Sequence, residues 1–389
     1  MSEGPGQGGL GEHRRRFPAL AGKVYFNFGV VGPLADSTLA ALTGHYRQRQ
    51  EQGPASPEVF AAQARDDDAA RAAFGSLHGV PPAQVALQES TCTGCTALLL
   101  SVPWQAGDEL LLTDAEYPAL VELSRLLARR FGVVPVTVPV LEQAEHAAAR
   151  IAAALTPRTR VLLLSHVLWT SGEVLDLAAI AALLEGRSPR PLLFIDGAQG
   201  PGNLLVRPAR DGVDAYAFPG HKALCGPDGI GGLWVSERVA GDLEPMTAGW
   251  RGVRVDARGA AAGFLPGARR FEAATATFGT RPAMVEALRL ADEFAPADQR
   301  AARVQALAAR AWRGLAARGL ALQLRAPPKS SLVTFRVPGV PEAAIAAALL
   351  RERFFVRALP QTAVVRLSLG YLNTEDEVDA LVAAAARLR

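Results

Sequence analysis

Short apolar runs alternate with alanine-rich stretches through the first two thirds of the chain. The runs are rich in leucine and β-branched residues, and they predict strands at 109–113, 133–138, 161–165, 192–196, 215–218 and 232–235. Between them, stretches with the length and composition of helices occupy 117–131, 144–155 and 177–185. Strands that alternate with helices in this way indicate an α/β fold with a mostly parallel central sheet. Such sheets bind their ligands at the carboxyl ends of the strands.

The pattern changes in the last third of the chain. A segment rich in Gly, Arg and Ala, 249–267, predicts an irregular connection, and a long helix over 282–315, broken near Pro296, follows it. Strands are then predicted at 331–337 and 364–369, and helices at 341–353 and 374–388. Thr374 and Glu377 have the spacing of a capping box at the start of the last helix.

These elements predict three regions along the chain. We expect a flexible leader over 1–16, a large domain over 17–265 that includes an N-terminal segment, and a smaller α+β C-terminal domain over 266–389. The large domain contains the mostly parallel sheet, so the ligand site is expected there.

Composition and charge narrow the class of protein. The chain has 389 residues and a net charge of +3, and its 41 Lys and Arg are interleaved with 38 Asp and Glu. Because no long basic stripe is present, we expect no nucleic-acid partner. Three cysteines are an odd count that argues against a disulfide framework. No apolar run reaches the roughly 18 residues of a membrane span, and no secretory signal is visible, so we expect a cytoplasmic protein without a membrane partner.

Lys222 and Asp196 are the first candidates for chemistry. Lys222 lies in DAYAFPGHKALCGPDGIGG, between a short strand and a Gly-rich turn, where a plain surface charge is not expected. Asp196 ends the buried strand of PLLFIDGAQG, where a carboxylate can reach a ligand at the sheet edge. Strand-end aspartates also serve as simple loop caps, so neither motif is diagnostic alone. The two motifs together are much more specific.

With these motifs the chain resembles the fold-type-I enzymes that use pyridoxal 5'-phosphate (PLP), in the superfamily of class V aminotransferases and cysteine desulfurases. The resemblance runs from YFNFG at Tyr25 to YLNTEDEVDAL near the C-terminus. It implies the PLP-dependent transferase fold (fold type I) and PLP as the cofactor. PLP needs an amine for its aldehyde, an anion beside its pyridinium nitrogen, an anion site for its phosphate and a cover over its ring.

The resemblance assigns several residues to the ring of PLP. It implies that Lys222 forms the Schiff base with the aldehyde and that Asp196 pairs with the pyridine nitrogen. It places Ala198 against one ring face and Gln199 at the ring hydroxyl. Relatives usually carry a stacking histidine where this chain has Tyr117. A tyrosine ring can still stack, but its phenol is not a near-neutral acid.

The phosphate of PLP has a separate set of candidates. In ESTCTGCTALLL a loop opens a helix, and free N–H groups at Cys92, Thr93 and Gly94 are expected to form an anion site there. The resemblance adds His221 as a further contact. It also implies that Thr275, in FEAATATF, reaches the phosphate of a neighbouring subunit, and therefore that the protein is a homodimer.

Two arginines are candidates for binding an amino-acid substrate. Arg366, in VVRLSLGYLN, matches the arginine that grips the substrate α-carboxylate in this superfamily. Arg357 lies nearby, in FFVRALP, and the L-cysteine/cystine C–S lyases pair two arginines in the same way. The planar guanidinium group binds a carboxylate bidentately. Either arginine could instead be a surface charge in this arginine-rich chain.

Finer motifs resemble the same branch of C–S lyases. They are SHVLWTSGEVLDL, FIDGAQ, GHKALCGPDGIGGL, GWR and FEAAT. In that branch Trp169 replaces an asparagine that most class V members place beside the ring hydroxyl, although Trp169 and Trp250 could equally be core residues. The implied reaction is α,β-elimination on cystine- or cysteine-type amino acids, which gives pyruvate, ammonia and a persulfide or thiol.

Other functions stay open at this point. Transamination, epimerisation and cleavage of a sulfoxide conjugate use the same PLP residues. A cysteine desulfurase needs a nucleophilic cysteine on a mobile loop, and 353–364 contains none, which leaves Cys225 as a disfavoured candidate. Cys92 and Cys95 have no histidine nearby at ligand spacing, so we expect no metal site. A non-catalytic binding protein is the least favoured alternative, because the lysine, aspartate and arginine are all present.

Overall fold

The computed structural model describes residues 7–141 and 144–389. Its α-helices are α1 (Gln7–Arg15), α2 (Asp36–Gln52), α3 (Pro57–His78), α4 (Thr91–Ser101), α5 (Pro118–Phe131), α6 (Ala147–Ala154), α7 (Leu177–Ala182), α8 (Glu237–Ala240), α9 (Thr280–Phe294), α10 (Ala297–Ala317), α11 (Glu342–Arg351) and α12 (Glu375–Ala386). Its strands are β1 (Val24–Tyr25), β2 (Val85–Gln88), β3 (Glu109–Thr113), β4 (Val134–Val138), β5 (Thr159–Ser165), β6 (Leu192–Asp196), β7 (Ala215–Pro219), β8 (Gly231–Val235), β9 (Val253–Val255), β10 (Ala261–Phe264), β11 (Ala321–Leu322), β12 (Leu332–Arg336), β13 (Phe354–Phe355), β14 (Arg357–Leu359) and β15 (Val364–Ser368). Short 3₁₀ helices lie at Pro18–Leu20, Pro82–Gln84, Ala144–His146 and Gly267–Phe271.

Strands β2 to β8 form a seven-stranded sheet in the order β2–β8–β7–β6–β5–β3–β4. β8 runs antiparallel to both of its neighbours, and every other pair in this sheet is parallel. The predicted mostly parallel sheet is therefore confirmed, and each of its predicted strands is present. The additional strand, β2, has only four residues, too few to show a pattern in the sequence.

Both faces of this sheet are buried, which explains why its strands form continuous apolar runs. Successive residues of a strand face opposite sides. In β6, Leu193 and Ile195 lie in a core shared with α3, α6 and α7, whereas Phe194 lies in a core shared with α4 and α5. This burial fixes the carboxyl ends of the strands, including the end that carries Asp196.

The C-terminal region forms a second, smaller unit. Its antiparallel sheet has the order β11–β12–β15–β14. Ile345 of α11 and Leu381 of α12 share one core with Val333 and Val365 of the sheet. The predicted α+β character is confirmed, and the predicted break near Pro296 separates α9 from α10. The predicted capping box at the start of α12 is also present.

The N-terminal segment differs from the sequence-based expectation. A flexible leader over 1–16 is wrong for α1, and residues 1–6 lie outside the described part of the chain. His13 is buried, and Arg14 forms an ion pair with Glu377 of α12. Because the Gly-rich sequence of α1 has little helix propensity, these tertiary contacts stabilise the helix. They are not visible in the sequence.

Residues that follow α1 also pack with the smaller unit. β1 pairs in parallel with β13, and Phe26 and Phe28 lie in the same core as Val365. The start of the expected 17–265 domain therefore shares its packing with the expected 266–389 domain. The division at these boundaries stays a prediction.

Two further features complete the fold. The segment 249–267, expected to be irregular, contains the antiparallel hairpin of β9 and β10. Among the helices of the described residues, none combines the length and the apolar character that crossing a membrane requires.

Candidate active site

Lys222 lies in a tight turn between β7 and β8, at the edge of the central sheet where β6 and β7 end. The Cys225 N–H donates to the Lys222 carbonyl at 2.9 Å, and the Gly32 N–H donates to the His221 carbonyl at 2.7 Å. A Cβ atom on Gly32 would lie 2.2 Å from the Lys222 carbonyl oxygen, so only glycine permits this approach. The lysine backbone is therefore held from both sides.

Asp196 ends β6, the strand beside the one that leads to Lys222. Its carboxyl group is buried, and Oδ1 accepts a hydrogen bond from the Ala198 N–H at 2.8 Å. Burial raises the pKa of Asp196, while the Ala198 N–H and the positive charge of Lys222 lower it. A buried carboxylate of this kind is suited to pair with a cationic ring nitrogen.

One cavity of about 250 Å³ lies at these strand ends and brings most of the predicted residues together. Its lining includes Cys92, Tyr117, Trp169, Asp196, Ala198, Gln199, His221, Lys222, Arg357 and Arg366. It also includes residues that the sequence did not single out, namely Gly29, Val30, Ser90, Thr91, Ser165 and Val167. Val30 directly follows YFNFG, and the only sequence signal of the other five was their position inside the recognised strings YFNFG, ESTC and SHVLW.

The Lys222 amine has an altered protonation equilibrium. Burial lowers its pKa to about 8, the negative charge of Asp196 opposes this shift, and the positive charges of Arg366 and Arg357 add to it. An ordinary lysine has a pKa of about 10.4 and is almost fully protonated at neutral pH. Only the neutral amine has a lone pair with which to attack an aldehyde or take a proton.

The N-terminus of α4 differs in part from the predicted phosphate site. The Ser90 Oγ accepts a hydrogen bond from the Thr93 N–H at 3.2 Å, and the Ser90 carbonyl accepts one from the Gly94 N–H at 3.2 Å. Free N–H groups at Thr93 and Gly94 are therefore a wrong prediction, because the helix cap occupies both. The N–H groups of Thr91 and Cys92 have no acceptor within the described residues, and both residues line the cavity.

Two aromatic rings form one wall of the cavity. Tyr117 and Trp169 are in edge-to-face contact, with 5.7 Å between their ring centroids. Tyr117 is 45% exposed, whereas the Trp169 indole N–H is buried without a partner among the described residues. Trp169 thus lines the cavity, and its place beside the PLP ring stays a prediction. Trp250, in contrast, is 58% exposed and does not line the cavity.

Arg357 and Arg366 are paired in register across β14 and β15. The Arg366 Nη1 donates to the Trp169 carbonyl at 2.9 Å, and its buried Nε has no partner in the described part of the chain. Burial, and then the positive charge of Arg357, lower the pKa of Arg366 to about 9. Neither arginine takes part in an ion pair among the described residues. A buried guanidinium without an acidic partner favours an external carboxylate.

Of the remaining predicted PLP contacts, Gln199 and His221 line the cavity and Thr275 does not. The Gln199 Nε2 donates to the Gly29 carbonyl at 2.8 Å, which leaves its Oε1 without a partner in the described structure. Burial lowers the pKa of His221. Thr275 is exposed and does not line the cavity, and its Oγ1 accepts a hydrogen bond from the Trp250 Nε1 at 3.3 Å. The role of Thr275 across a subunit interface stays a prediction.

The polar groups of the cavity fit PLP. Several buried polar atoms at its wall have no partner within the described residues, namely Thr91 Oγ1, Trp169 Nε1, Gln199 Oε1, His221 Nδ1 and Arg366 Nε. The lysine amine, the buried carboxyl group, the N–H groups at the start of α4 and the aromatic wall correspond to the aldehyde, pyridinium nitrogen, phosphate and ring of PLP. Fold and site together define a PLP-dependent enzyme of fold type I.

Comparison with known proteins gives the family within this class. Residues 34–381 match the class-V aminotransferase family, and the chain belongs to it. The cystine C–S lyase C-DES, in complex with its reaction product cysteine persulfide, has a TM-score of 0.91 and 34% identity, over 95% of this chain and 99% of that chain. Isopenicillin N epimerase from Streptomyces clavuligerus is 32% identical over 93% of this chain and 94% of the relative. A probable cysteine desulfurase from Pseudomonas aeruginosa is 31% identical over 96% of this chain and 97% of the relative. The predicted family and the predicted PLP cofactor are thereby confirmed.

Proposed function

We propose that the protein is a PLP-dependent carbon–sulfur lyase that performs α,β-elimination on cystine or cysteine-type substrates. The products are pyruvate, ammonia and a persulfide or thiol. The observation that carries the proposal is the pair Arg357 and Arg366, which have no acidic partner among the described residues and line the cavity that also contains Lys222.

Arg366 is the proposed ligand of the substrate α-carboxylate. It is buried, and its positive charge contributes to lowering the pKa of Lys222, so the two groups act on the same part of the cavity. A carboxylate bound to Arg366 directs the adjoining Cα–H bond toward the lysine amine. The guanidinium fork fixes this orientation through two parallel hydrogen bonds.

Arg357 is the proposed ligand of a second carboxylate. It is exposed, whereas Arg366 on the neighbouring strand is buried, so the two guanidinium groups lie at different depths. Cystine carries one amino-acid group at each end of its disulfide. The inner end then reaches Arg366, and the outer end stays within the range of Arg357.

Lys222 and Asp196 supply the proton transfer and the balancing charge. PLP, when bound, provides an electron sink for the electrons left at Cα after the proton is removed. The partly neutral Nζ of Lys222 takes that proton, and Asp196 stabilises positive charge at the pyridine nitrogen. The Cβ–S bond breaks as a Cα–Cβ double bond forms, and the sulfur leaves with the bonding electrons. Hydrolysis of the resulting aminoacrylate yields pyruvate and ammonia.

The positions of the cysteines favour a lyase over a desulfurase. Burial raises the pKa of Cys92, which lines the cavity, and raises that of Cys225 to about 12. Cys95 is fully buried, with a pKa well above the ordinary value. Protonated thiols are poor nucleophiles. Elimination from cystine needs no thiol of the enzyme, because the persulfide of cysteine is itself a good leaving group.

A homodimer is part of the proposal. Thr275 and the 58% exposed Trp250 are in contact on a surface outside the cavity. A second copy that covers this surface would bury the indole ring, and it would receive Thr275 at its own phosphate site.

Epimerisation is the alternative that a specific observation favours, namely the 32% identity with isopenicillin N epimerase.

Purified protein loaded with PLP would be incubated with cystine, cysteine, S-methylcysteine and alanine. Pyruvate and a persulfide from cystine support the lyase. Exchange or inversion at Cα without pyruvate supports an epimerase, alanine formed together with a protein persulfide supports a desulfurase, and amino transfer to an added keto acid supports an aminotransferase.

A further inference from the structure

Glu116 is a buried carboxyl group that directly precedes Tyr117 and has no part in the reaction proposed above. It is 5% exposed. Its Oε1 accepts a hydrogen bond from the Thr113 hydroxyl at 2.7 Å. Its Oε2 accepts two hydrogen bonds from Ser165, one from the N–H at 2.9 Å and one from the hydroxyl at 2.6 Å. The carboxyl group therefore joins the turn after β3 to the end of β5.

Both of these segments reach the cavity. Tyr117 lies at the end of the turn and is the residue from which α5 starts. Ser165 lines the cavity and is paired in register with Asp196 of β6. The next residue, His166, donates its N–H to the Asp196 carbonyl at 2.9 Å. Two hydrogen-bonded contacts, of Glu116 with Ser165 and of His166 with Asp196, thus link the turn that precedes Tyr117 to the strand end of Asp196.

The donors around Glu116 require a carboxylate-like acceptor. Thr113 also accepts a hydrogen bond from the Ala115 N–H at 3.3 Å, so its hydroxyl proton is free to point at Glu116. Without the carboxyl group, the two hydroxyl groups and the Ser165 N–H would be buried donors lacking their partner. The three bonds thus fix the side chain and both segments together.

The pKa of Glu116 also responds to the charge of Asp196. Burial raises the pKa of Glu116 to about 7, hydrogen bonds from Ser165 and Thr113 lower it, and the negative charge of Asp196 raises it further. The charge of Asp196 thus acts on Glu116, although no hydrogen bond joins the two carboxyl groups directly among the described residues.

We propose that Glu116 is a positioning residue for the cofactor: it ties the turn of Tyr117 to the strand end of Asp196 and so fixes the aromatic wall relative to the carboxylate that pairs with PLP. Glu116 itself does not line the cavity. The inference rests on the use of PLP and is independent of which class V reaction the protein catalyses.

The chain offers a matched control at the other end of the same strand. Glu109 begins β3, is also buried, and accepts hydrogen bonds from the Thr156 hydroxyl at 2.6 Å and the Thr159 hydroxyl at 3.1 Å. Neither Glu109 nor Thr159 lines the cavity. Glu109→Leu and Thr159→Val therefore remove comparable buried hydrogen bonds from a part of β3 that does not approach PLP.

The test uses Glu116→Leu and the isosteric Thr113→Val, each measured for PLP affinity of the apoprotein and for visible circular dichroism of bound PLP. PLP is achiral, so its dichroism reports how the protein holds the ring. We expect Glu116→Leu to weaken PLP binding by about tenfold, the effect of losing one charge-assisted hydrogen bond, and to change the dichroism. Thr113→Val should cause the same change at a smaller size.

The two control variants should lower the melting temperature and leave PLP affinity and dichroism within about twofold of the wild type. If Glu116→Leu keeps the PLP affinity and the dichroism of the wild type, the inference is overturned. It is also overturned if Glu109→Leu and Thr159→Val change the PLP affinity and the dichroism as strongly as Glu116→Leu does. If Glu116→Leu does not fold, Thr113→Val decides, since its hydroxyl bonds to Glu116 and to the Ala115 N–H of the same turn and does not itself line the cavity. An unchanged dichroism in that variant would then overturn the positioning role.

Discussion

Arg366 donates from Nη1 to the backbone carbonyl of Trp169 at 2.9 Å, and this bond joins β15 of the smaller unit to the segment after β5 of the central sheet. It fixes one side of the guanidinium group and leaves the buried Nε without a partner in the described structure. The cavity proposed to bind the substrate is thus lined by residues from both parts of the chain. This contact places the cation of β15 beside the aromatic wall that Trp169 shares with Tyr117.

Arg357 and Arg366 should therefore differ in the substrates that they serve. Arg366→Ala should damage turnover of every amino acid, because all carry an α-carboxylate. Arg357→Ala should damage cystine far more than cysteine or S-methylcysteine, because only cystine has a second amino-acid end. A charge-assisted contact contributes on the order of 1.5–3 kcal/mol, or roughly ten- to a hundred-and-fifty-fold in kcat/KM.

The control for this experiment is Arg351→Ala, an exposed arginine of α11 outside the cavity, which should leave all three substrates unaffected. Equal losses on all three substrates in Arg357→Ala would contradict a distal-carboxylate role. The assignment of PLP would be unaffected by that result.

Lys222 should give PLP uptake a characteristic pH dependence. Burial lowers its pKa to about 8. The fraction of the reactive neutral amine therefore rises as the pH approaches 8, and deprotonation is nearly complete above about pH 9. The rate of covalent PLP uptake by apoprotein should rise over this range and then level off, whereas an ordinary lysine would continue to gain reactivity to about pH 10.4. Stopped-flow absorbance measures the rate.

Lys222→Ala is the control for uptake and should abolish covalent binding, whereas Lys23→Ala and Lys329→Ala should retain it. Borohydride reduction followed by peptide mapping identifies the modified lysine. A reduced PLP adduct on Lys23 or Lys329 would contradict the assignment of Lys222.

Asp196→Asn should retain some PLP but lose most activity. The amide keeps the shape of the carboxylate and can still accept the Ala198 N–H, yet it has no charge with which to hold a proton on the pyridine nitrogen. Asp214→Asn is a matched control, since Asp214 is fully buried and pairs with Arg190 and Arg238 outside the cavity. Asp214→Asn should lower the stability of the protein and leave kcat, normalised to the amount of bound PLP, unchanged. A near-normal kcat in Asp196→Asn would show that another group supplies the charge.

Thr275 should act on the PLP of a partner subunit. The protein is expected to be a homodimer by light scattering, and Thr275→Ala should weaken PLP binding. In a mixed dimer of Lys222→Ala and Thr275→Ala subunits, one site regains both Lys222 and a partner's Thr275. Refolding the two variants together should therefore restore high-affinity PLP sites. An active monomer, or no recovery on mixing, would argue against the shared site.

Much of this site is predictable because its residues lie at strand ends with distinctive neighbours. Asp196 and Lys222 each follow a buried apolar strand, and both strands end at the same sheet edge. The continuous apolar runs of the parallel strands result from burial on both faces, so the sheet was predictable as well. Register was not, and only the structure shows that Arg357 is paired with Arg366.

Other features depend on contacts that a sequence pattern does not contain. The phosphate site was predicted with free N–H groups at Thr93 and Gly94, but the Ser90 side chain and carbonyl take both of them. Glu116 and Ser165 looked like ordinary turn and strand residues, because their hydrogen bond spans distant parts of the chain. The Gly-rich α1 forms through tertiary contacts that oppose its local propensity.

The stoichiometry of cystine turnover tests the proposed lyase reaction most directly. Wild-type protein loaded with PLP would be given cystine alone, with no thiol or keto acid added, and pyruvate, ammonia, sulfane sulfur and alanine would be quantified together. Elimination predicts equal amounts of pyruvate, ammonia and cysteine persulfide, with no alanine. Alanine in place of pyruvate, or cystine recovered with exchange or inversion at Cα and no pyruvate, would contradict a carbon–sulfur lyase.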